Sequence, residues 1–204
     1  MKIDTGNSVP IIKMQGIVKE FPGVRALSDL TFDVYKGEIH CLVGENGAGK
    51  STLMKILSGA YTPTAGSIII NGHEYRELTP ALSRDLGIDI VYQENDLVPT
   101  MSAVENIFVG KEITKPGGFV DFKEMLARVR ALMEKYEICI DPLQTIENMS
   151  VADQQFVKIL KALMNESKLL IMDEPTSMFN EKDAGKVLKL VRNIADKGIS
   201  IIYI

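Results

Sequence analysis

Apolar residues along the chain follow two rhythms, and the switch between them marks the elements. After a loose tail at residues 1–10, strand-like runs stand at Ile11–Val18, Leu30–Tyr35 and Glu38–Val43, with Leu30, Phe32 and Val34 on one face. Lys36-Gly37 predicts a tight turn between the last two. Gly44–Ser51 interrupts the alternation. A helix over Thr52–Ser58 follows, with Leu53, Ile56 and Leu57 on one side and Gly59 at its end. Ser67–Ile70 is a short apolar strand closed by Asn71-Gly72, a strong hairpin signal, and Ile88–Tyr92 is another short strand.

From about residue 97 to 165 the rhythm turns helical, broken at Pro116–Gly118. A helix over Met125–Tyr136 carries Val129, Leu132, Met133 and Tyr136 on one face, and its methionines are core filler rather than ligands. A second helix after Ser150 presents Phe156, Val157, Leu160, Leu163 and Met164. Lys168–Met172 is a fully apolar strand ending in Asp173-Glu174-Pro175. A helix over about Glu181–Lys197 leads into the β-branched strand Ile199–Ile204. Strand–loop–helix units at both ends around a helical insert predict an α/β core with a helical subdomain at about 97–165. Because the last apolar strand has no exit loop or following helix, the chain is expected to be an N-terminal fragment.

Composition narrows the class. The chain has 204 residues, 46% of them hydrophobic and 25% charged, with a net charge of −4 that argues against a nucleic-acid surface. No apolar run approaches the roughly 20 residues needed to cross a bilayer, and the start lacks the apolar core of a signal peptide. The expected location is therefore the cytosol, with any membrane link made through a partner. Cys41 and Cys139 form no CxxC pair; Cys41 lies in an apolar run and is expected in the core.

Two segments carry chemistry. Gly44-Glu45-Asn46-Gly47-Ala48-Gly49-Lys50-Ser51 fits G-x-x-x-x-G-K-[ST] between a buried-looking strand, Ile39–Val43, and a helix. Glycines let successive backbone N–H groups turn toward phosphate oxygens, and the helix N-terminus adds positive charge. Lys50 would reach the β- and γ-phosphates, and Ser51 would offer its hydroxyl to magnesium. At the tip of the apolar strand, Asp173 suits a magnesium water shell, and Glu174 suits the orientation and deprotonation of an attacking water.

With these motifs the chain resembles the ATP-binding subunits of ABC transporters along almost its whole length. The resemblance implies further roles. Gln93, in Val91-Tyr92-Gln93-Glu94, looks like the Q-loop glutamine that touches magnesium and water and couples the site to the helical subdomain. Phe21, in Phe21-Pro22-Gly23-Val24, looks like the aromatic residue that stacks on adenine. The nucleotide set is then Phe21, Gly44, Glu45, Asn46, Gly47, Ala48, Gly49, Lys50, Ser51 and Thr52. Magnesium falls to Ser51, Gln93 and Asp173, and catalysis to Glu174, Lys50 and Gln93. Met149-Ser150-Val151-Ala152-Asp153-Gln154-Gln155 sits where the family carries its LSGGQ signature, which binds the γ-phosphate held by an opposite P-loop. Ser150 also suits a helix N-cap, with Asp153 completing a weak capping box.

The Ser-Val-Ala-x-Gln-Gln form, Phe-Pro-Gly-Val and Asp-Glu-Pro-Thr-Ser resemble importers of ribose, galactose, xylose and similar monosaccharides, whose ATPase subunit carries two such domains. Asp153 departs from the usual glutamine, and Ser177-Met178-Phe179-Asn180 is an unusual D-loop. The family's switch histidine follows the strand matching Ile199–Ile204, and neither His40 nor His73 corresponds to it; both are expected to be structural or solvated. The resemblance implies one ABC-type ATP-binding domain over 1–204, truncated at its end. It has a P-loop NTPase α/β core, an N-terminal antiparallel β portion and an inserted helical subdomain. With ATP and Mg2+ as cofactors, it would power sugar import, although turning over slowly as a fragment. Its partners would be a second ABC domain in tandem or as a dimer, membrane permease subunits met through the helical subdomain, and indirectly a periplasmic or extracellular sugar-binding protein. No nucleic acid is expected, and the place is the inner face of the cell membrane. The competing expectations are a soluble ABC ATPase of translation or DNA repair, and a non-hydrolysing ATP-sensing module.

Overall fold

The computed structural model describes residues 9–45, 47–93, 96–176 and 179–204, in two units. The first comprises Met1–Asp89, Lys168–Ile171 and Ala195–Ile204; the second comprises Ile90–Ser167 and Met172–Ile194.

The first unit opens with a long hairpin. β1 (Ile12–Phe21) pairs antiparallel with β2 (Val24–Val34), from Ile12 opposite Val34 to Phe21 opposite Val24. Both strands outrun the expected Ile11–Val18 and Leu30–Tyr35. The register shifts between Met14 and Glu20 break the two-residue alternation, with Gly16 at φ 60° at the first shift and Asp29 at φ 53° at the second. Ile12, Met14 and Ile17 nevertheless face the core. β4 (Ala65–Ile70) pairs with the other edge of β1 and turns into β5 (His73–Tyr75), giving the order β2-β1-β4-β5. Asn71 at φ 50° and Gly72 at φ 82° are both left-handed, as the predicted two-residue hairpin requires.

The second sheet has the order β3-β8-β7-β6. β3 (Ile39–Cys41) pairs in parallel with β8 (Ser200–Tyr203), His40 lying opposite Ile202. β7 (Leu169–Met172) is buried at every position, and β6 (Ile88–Val91) runs from the first unit into the second. The expected burial of Cys41 is corrected. β3 is an end strand of this sheet, shorter than the apolar run that suggested it, and Cys41 is exposed. Val43 beyond it is 92% exposed. The Lys36-Gly37 turn is present, Glu38 N donating to Tyr35 O at 3.2 Å. His40 is structural: its Nδ1 lies 3.0 Å from Glu38 Oε1 and its ring meets Phe32 edge-on.

α1 (Lys50–Leu57) inserts Leu53, Met54, Ile56 and Leu57 into the core. α2 (Pro80–Asp85) has too few turns for periodicity to show, and only Ser83 of its residues is buried. Its start is nonetheless written as Thr79-Pro80, an N-cap that accepts from Leu82 N followed by proline in the first turn.

The second unit is mainly helical: α3 (Ala103–Phe108), α4 (Phe122–Tyr136), α5 (Val151–Leu163) and α6 (Glu181–Asp196). Val104, Ile107, Met125, Val129, Ile146, Val157 and Leu160 are among its buried residues. Ser102 begins α3 with a complete capping box, Glu105 Oε2 accepting from Ser102 N at 2.8 Å and from its hydroxyl at 2.6 Å. The proline-glycine break ends in a turn, Gly118 N donating to Lys115 O at 3.0 Å.

Candidate functional site

The glycine-rich loop is shaped by its backbone. Gly47 and Gly49 hold φ near +87° and +88°, in the left-handed region that residues with a Cβ rarely adopt. Gly49 is also packed from outside, since a Cβ there would stand 2.6 Å from Ala26 O and 2.7 Å from Leu27 Cδ2. The loop therefore rests against β2. Ala48 N donates to Glu45 O at 3.1 Å, and Lys50 Nζ donates to Gly44 O at 2.6 Å and Glu45 O at 3.0 Å. Gly49 is the N-cap of α1 and supplies no side-chain acceptor, and the first turn holds no acid. The leading N–H groups of α1 thus remain for an anion. Gly44, Glu45 and Ser51 are exposed, while Thr52 is half-buried. Asn46 lies outside the described residues.

At the tip of β7 the second unit gathers the acids. Asp173 N donates to Val91 O at 3.1 Å, which places its carboxyl just past two strand ends. Glu174 is exposed and left-handed at φ 43°, a costly conformation for a residue other than glycine. Gln93 Nε2 donates to Glu174 Oε2 at 3.2 Å. Two residues singled out separately in the sequence thus touch across a separation of 81 positions. Glu94 and the D-loop residues Ser177 and Met178 lie outside the described residues.

Two supporting residues escaped the sequence reading. Lys158 Nζ reaches the carbonyls of Tyr92 and Gln93, each at 3.4 Å, from the face of α5. Burial lowers its pKa, opposed by Asp96 and aided by Lys161. Its signal was a lysine among Phe156, Val157, Ile159 and Leu160, all buried. Asn106 is fully buried: it accepts from Val98 N at 2.7 Å and donates to Val98 O and Ser102 O, fixing the loop after the glutamine segment. A lone asparagine in the apolar Ala103–Phe108 stretch could have disclosed it.

The signature-like segment starts α5. Ser150 is the N-cap, its hydroxyl accepting from Asp153 N at 3.2 Å. The expected box is only half formed, because Asp153 Oδ2 accepts from the Ser150 hydroxyl at 2.8 Å and not from its backbone. Aspartate is one methylene shorter than the glutamate that completes the box at Ser102. Val151 is exposed and Ala152 buried. Gln154 Nε2 donates to Ile146 O and Met149 O. At the end of β1, Phe21 is half-buried and meets the ring of Tyr61 edge-on.

Comparison with known proteins places these features. The model of the ABC transporter family matches residues 27–177. Curated relatives 40–47% identical are named as ribose or ribose/galactose import ATP-binding proteins. Ribose import ATP-binding proteins of Escherichia coli O157:H7 and Rubrobacter xylanophilus are 41% and 42% identical over 97% and 96% of this chain. The chain spans about two fifths of their length, 39% of each. An ATP-binding cassette of an ABC transporter, solved in its ADP conformation, superposes with a TM-score of 0.84 at 24% identity, over 96% of this chain and 81% of that one. The fold is accordingly the ABC ATPase arrangement, a P-loop core with an antiparallel β portion and an inserted helical subdomain. With its motifs, its fold and a family match over most of its length, the chain belongs to the ABC transporter family as an ATP-binding domain.

Proposed function

We propose that the chain binds ATP with magnesium and forms part of the ATPase subunit of a monosaccharide importer. The observation that carries the nucleotide reading is the loop at Gly44–Ser51, whose left-handed glycines lead into a helix start with no side-chain acceptor. Phosphate oxygens would take these N–H groups and draw the Lys50 ammonium from the carbonyls of Gly44 and Glu45. Among the described residues no three His, Cys, Asp or Glu side chains converge on a metal-sized site. In this reading magnesium takes ligands from phosphate and water, and the residues assigned to it are Ser51 through its hydroxyl, Asp173 and Gln93. Such an ion, when bound, neutralises charge on the phosphates.

Glu174 is the general base in this reading, and its bond from Gln93 supports a role for that amide in orienting it toward the attacking water. Phe21 stacks on adenine. Residues 1–204 form one ATP-binding domain, with a helical subdomain over about 97–165 that meets the permease. Ser150, Val151, Ala152, Asp153 and Gln154 serve the phosphate of a second ABC domain. The names of the relatives support ribose or galactose as cargo class, with a sugar-binding protein delivering it and the domain at the inner membrane face. The test is uptake of labelled ribose, galactose and xylose by cells lacking the gene. Complementation by the wild-type gene should restore one of them, and the Glu174→Gln gene should not. Unchanged uptake of all three in the deletion strain would overturn the sugar reading.

A further inference from the structure

Phe21 does not stand alone at the end of β1. Tyr61 meets it edge-on, with ring centroids 5.4 Å apart and planes at 73°. Lys19 Nζ lies over both rings, 5.1 Å from the centroid of Phe21 and 5.7 Å from that of Tyr61. Lys55 adds a second ammonium over Tyr61 at 5.3 Å. Both arrangements are attractive, since a ring edge is positive and its face negative.

The cluster is fixed by backbone on two sides. Lys19 Nζ also donates to Thr62 O at 2.7 Å, Thr64 N donates to Val18 O at 2.8 Å, and Glu20 N donates to Thr64 Oγ1 at 3.0 Å. These bonds zip residues 62–64 onto the last turns of β1. On the other side, Tyr61 N donates to Lys55 O at 2.9 Å, a bond across six positions that folds the chain beyond the Ser58 cap back onto the last turn of α1. α1 begins at Lys50, so the same helix carries the phosphate loop at one end and Tyr61 just past the other.

We propose that Lys19 and Tyr61 are positioning residues for Phe21: the ammonium over its ring and the near-perpendicular Tyr61 ring beside it hold its orientation, so that a purine base stacks on it at a distance from the phosphate loop set by α1. The proposal rests on the reading that Phe21 receives the base. It explains why a side chain at a hairpin tip, where β1 turns at Pro22-Gly23 into β2, can hold one orientation while only half-buried. A ring free to flip and tilt would lose stacking; the edge contact and the cation remove those alternatives before the base arrives. Neither residue touches the nucleotide in this account.

The experiment measures Mg-ATP and Mg-tripolyphosphate affinity of the whole chain by calorimetry, for wild type, Phe21→Ala, Tyr61→Ala, Tyr61→Phe and Lys19→Met. Tyr61→Ala should weaken ATP by about 2- to 12-fold, the worth of one aromatic pair, and leave tripolyphosphate unchanged. Lys19→Met should weaken ATP by about 2- to 5-fold, and Tyr61→Phe should bind as wild type. Retained tripolyphosphate binding reports that each variant is folded. If Phe21→Ala weakens ATP and Tyr61→Ala does not, the positioning role is overturned and the adenine reading stands. If Tyr61→Ala weakens both ligands equally, the residue acts through α1 and the proposal is likewise overturned. If Phe21→Ala binds ATP as wild type, the adenine reading itself fails.

Discussion

Gly49→Ala puts the local argument for the phosphate loop under direct strain. Two separate penalties fall on one added methyl group. The first is backbone: alanine at φ near +88° costs about 1–2 kcal/mol. The second is contact, because the new Cβ would stand 2.6 Å from Ala26 O, a main-chain atom of β2, and 2.7 Å from Leu27 Cδ2. Leu27 is 4% exposed and has little room to turn away, so overpacking adds about 1–3 kcal/mol. The sum, roughly 2–5 kcal/mol, is a large share of a typical domain stability of about 5–15 kcal/mol. Gly47→Ala is the control. It carries the same left-handed φ, near +87°, yet meets nothing within 4 Å. It should cost only the backbone part, about 1–2 kcal/mol. Urea unfolding of the three proteins measures both values. Gly49→Ala should unfold at the lowest midpoint and should bind Mg-ATP more weakly than Gly47→Ala, because its loop can relieve the clash only by leaving β2. Equal stability for the two alanine variants would refute the packing of the loop on β2.

Other consequences follow from the same geometry. With Glu174 as the proposed general base, Glu174→Gln keeps the shape of the side chain and removes its basicity, so nucleotide affinity should be unchanged while any ATP hydrolysis falls by about 10²–10⁴-fold; a variant retaining more than about a tenth of the rate contradicts the role. Asn106→Leu should destabilise the second unit by about 3 kcal/mol in denaturant melts, since it orphans Val98 N and several carbonyls in a buried site. Ser102→Ala should cost about 1 kcal/mol as a lost N-cap. Bonds from the Ser102 hydroxyl and backbone hold the Glu105 carboxyl below its ordinary 4.5. A lowered folded pKa stabilises above the unfolded value and is lost as pH falls through the folded one. Wild type should therefore lose more stability than Glu105→Gln as pH drops below 4.5, and parallel pH curves would contradict the box.

Legibility in the sequence tracked how locally each feature is determined. The hairpin at Asn71-Gly72, the helix after Ser150 and the fully buried strand ending at Met172 were readable because their residues dictate them within a few positions. The ends of β1 and β2 were not, because the register shifts around Gly16 and Asp29 destroy the alternation that would have announced them. Cys41 failed for a different reason. An apolar strand says nothing about its place in a sheet, and at the end of the order β3-β8-β7-β6 an apolar side chain can face outward. Within the site, Lys50, Ser51, Asp173 and Glu174 were named by motif, whereas the touch between Gln93 and Glu174 follows only from the course of β6 and β7. Lys158 and Asn106 were hidden in helices whose apolar periodicity they interrupt; their partners are main-chain groups, which a sequence does not distinguish.

Calorimetric titration of the chain with Mg-ATP decides whether the loop at Gly44–Ser51 binds the phosphates of ATP. One nucleotide should bind per chain, and binding should be lost in Lys50→Ala while that variant melts as wild type. A folded wild-type chain that takes up no Mg-ATP, or a Lys50→Ala variant that binds it with undiminished affinity, would show that the loop does not hold the phosphates.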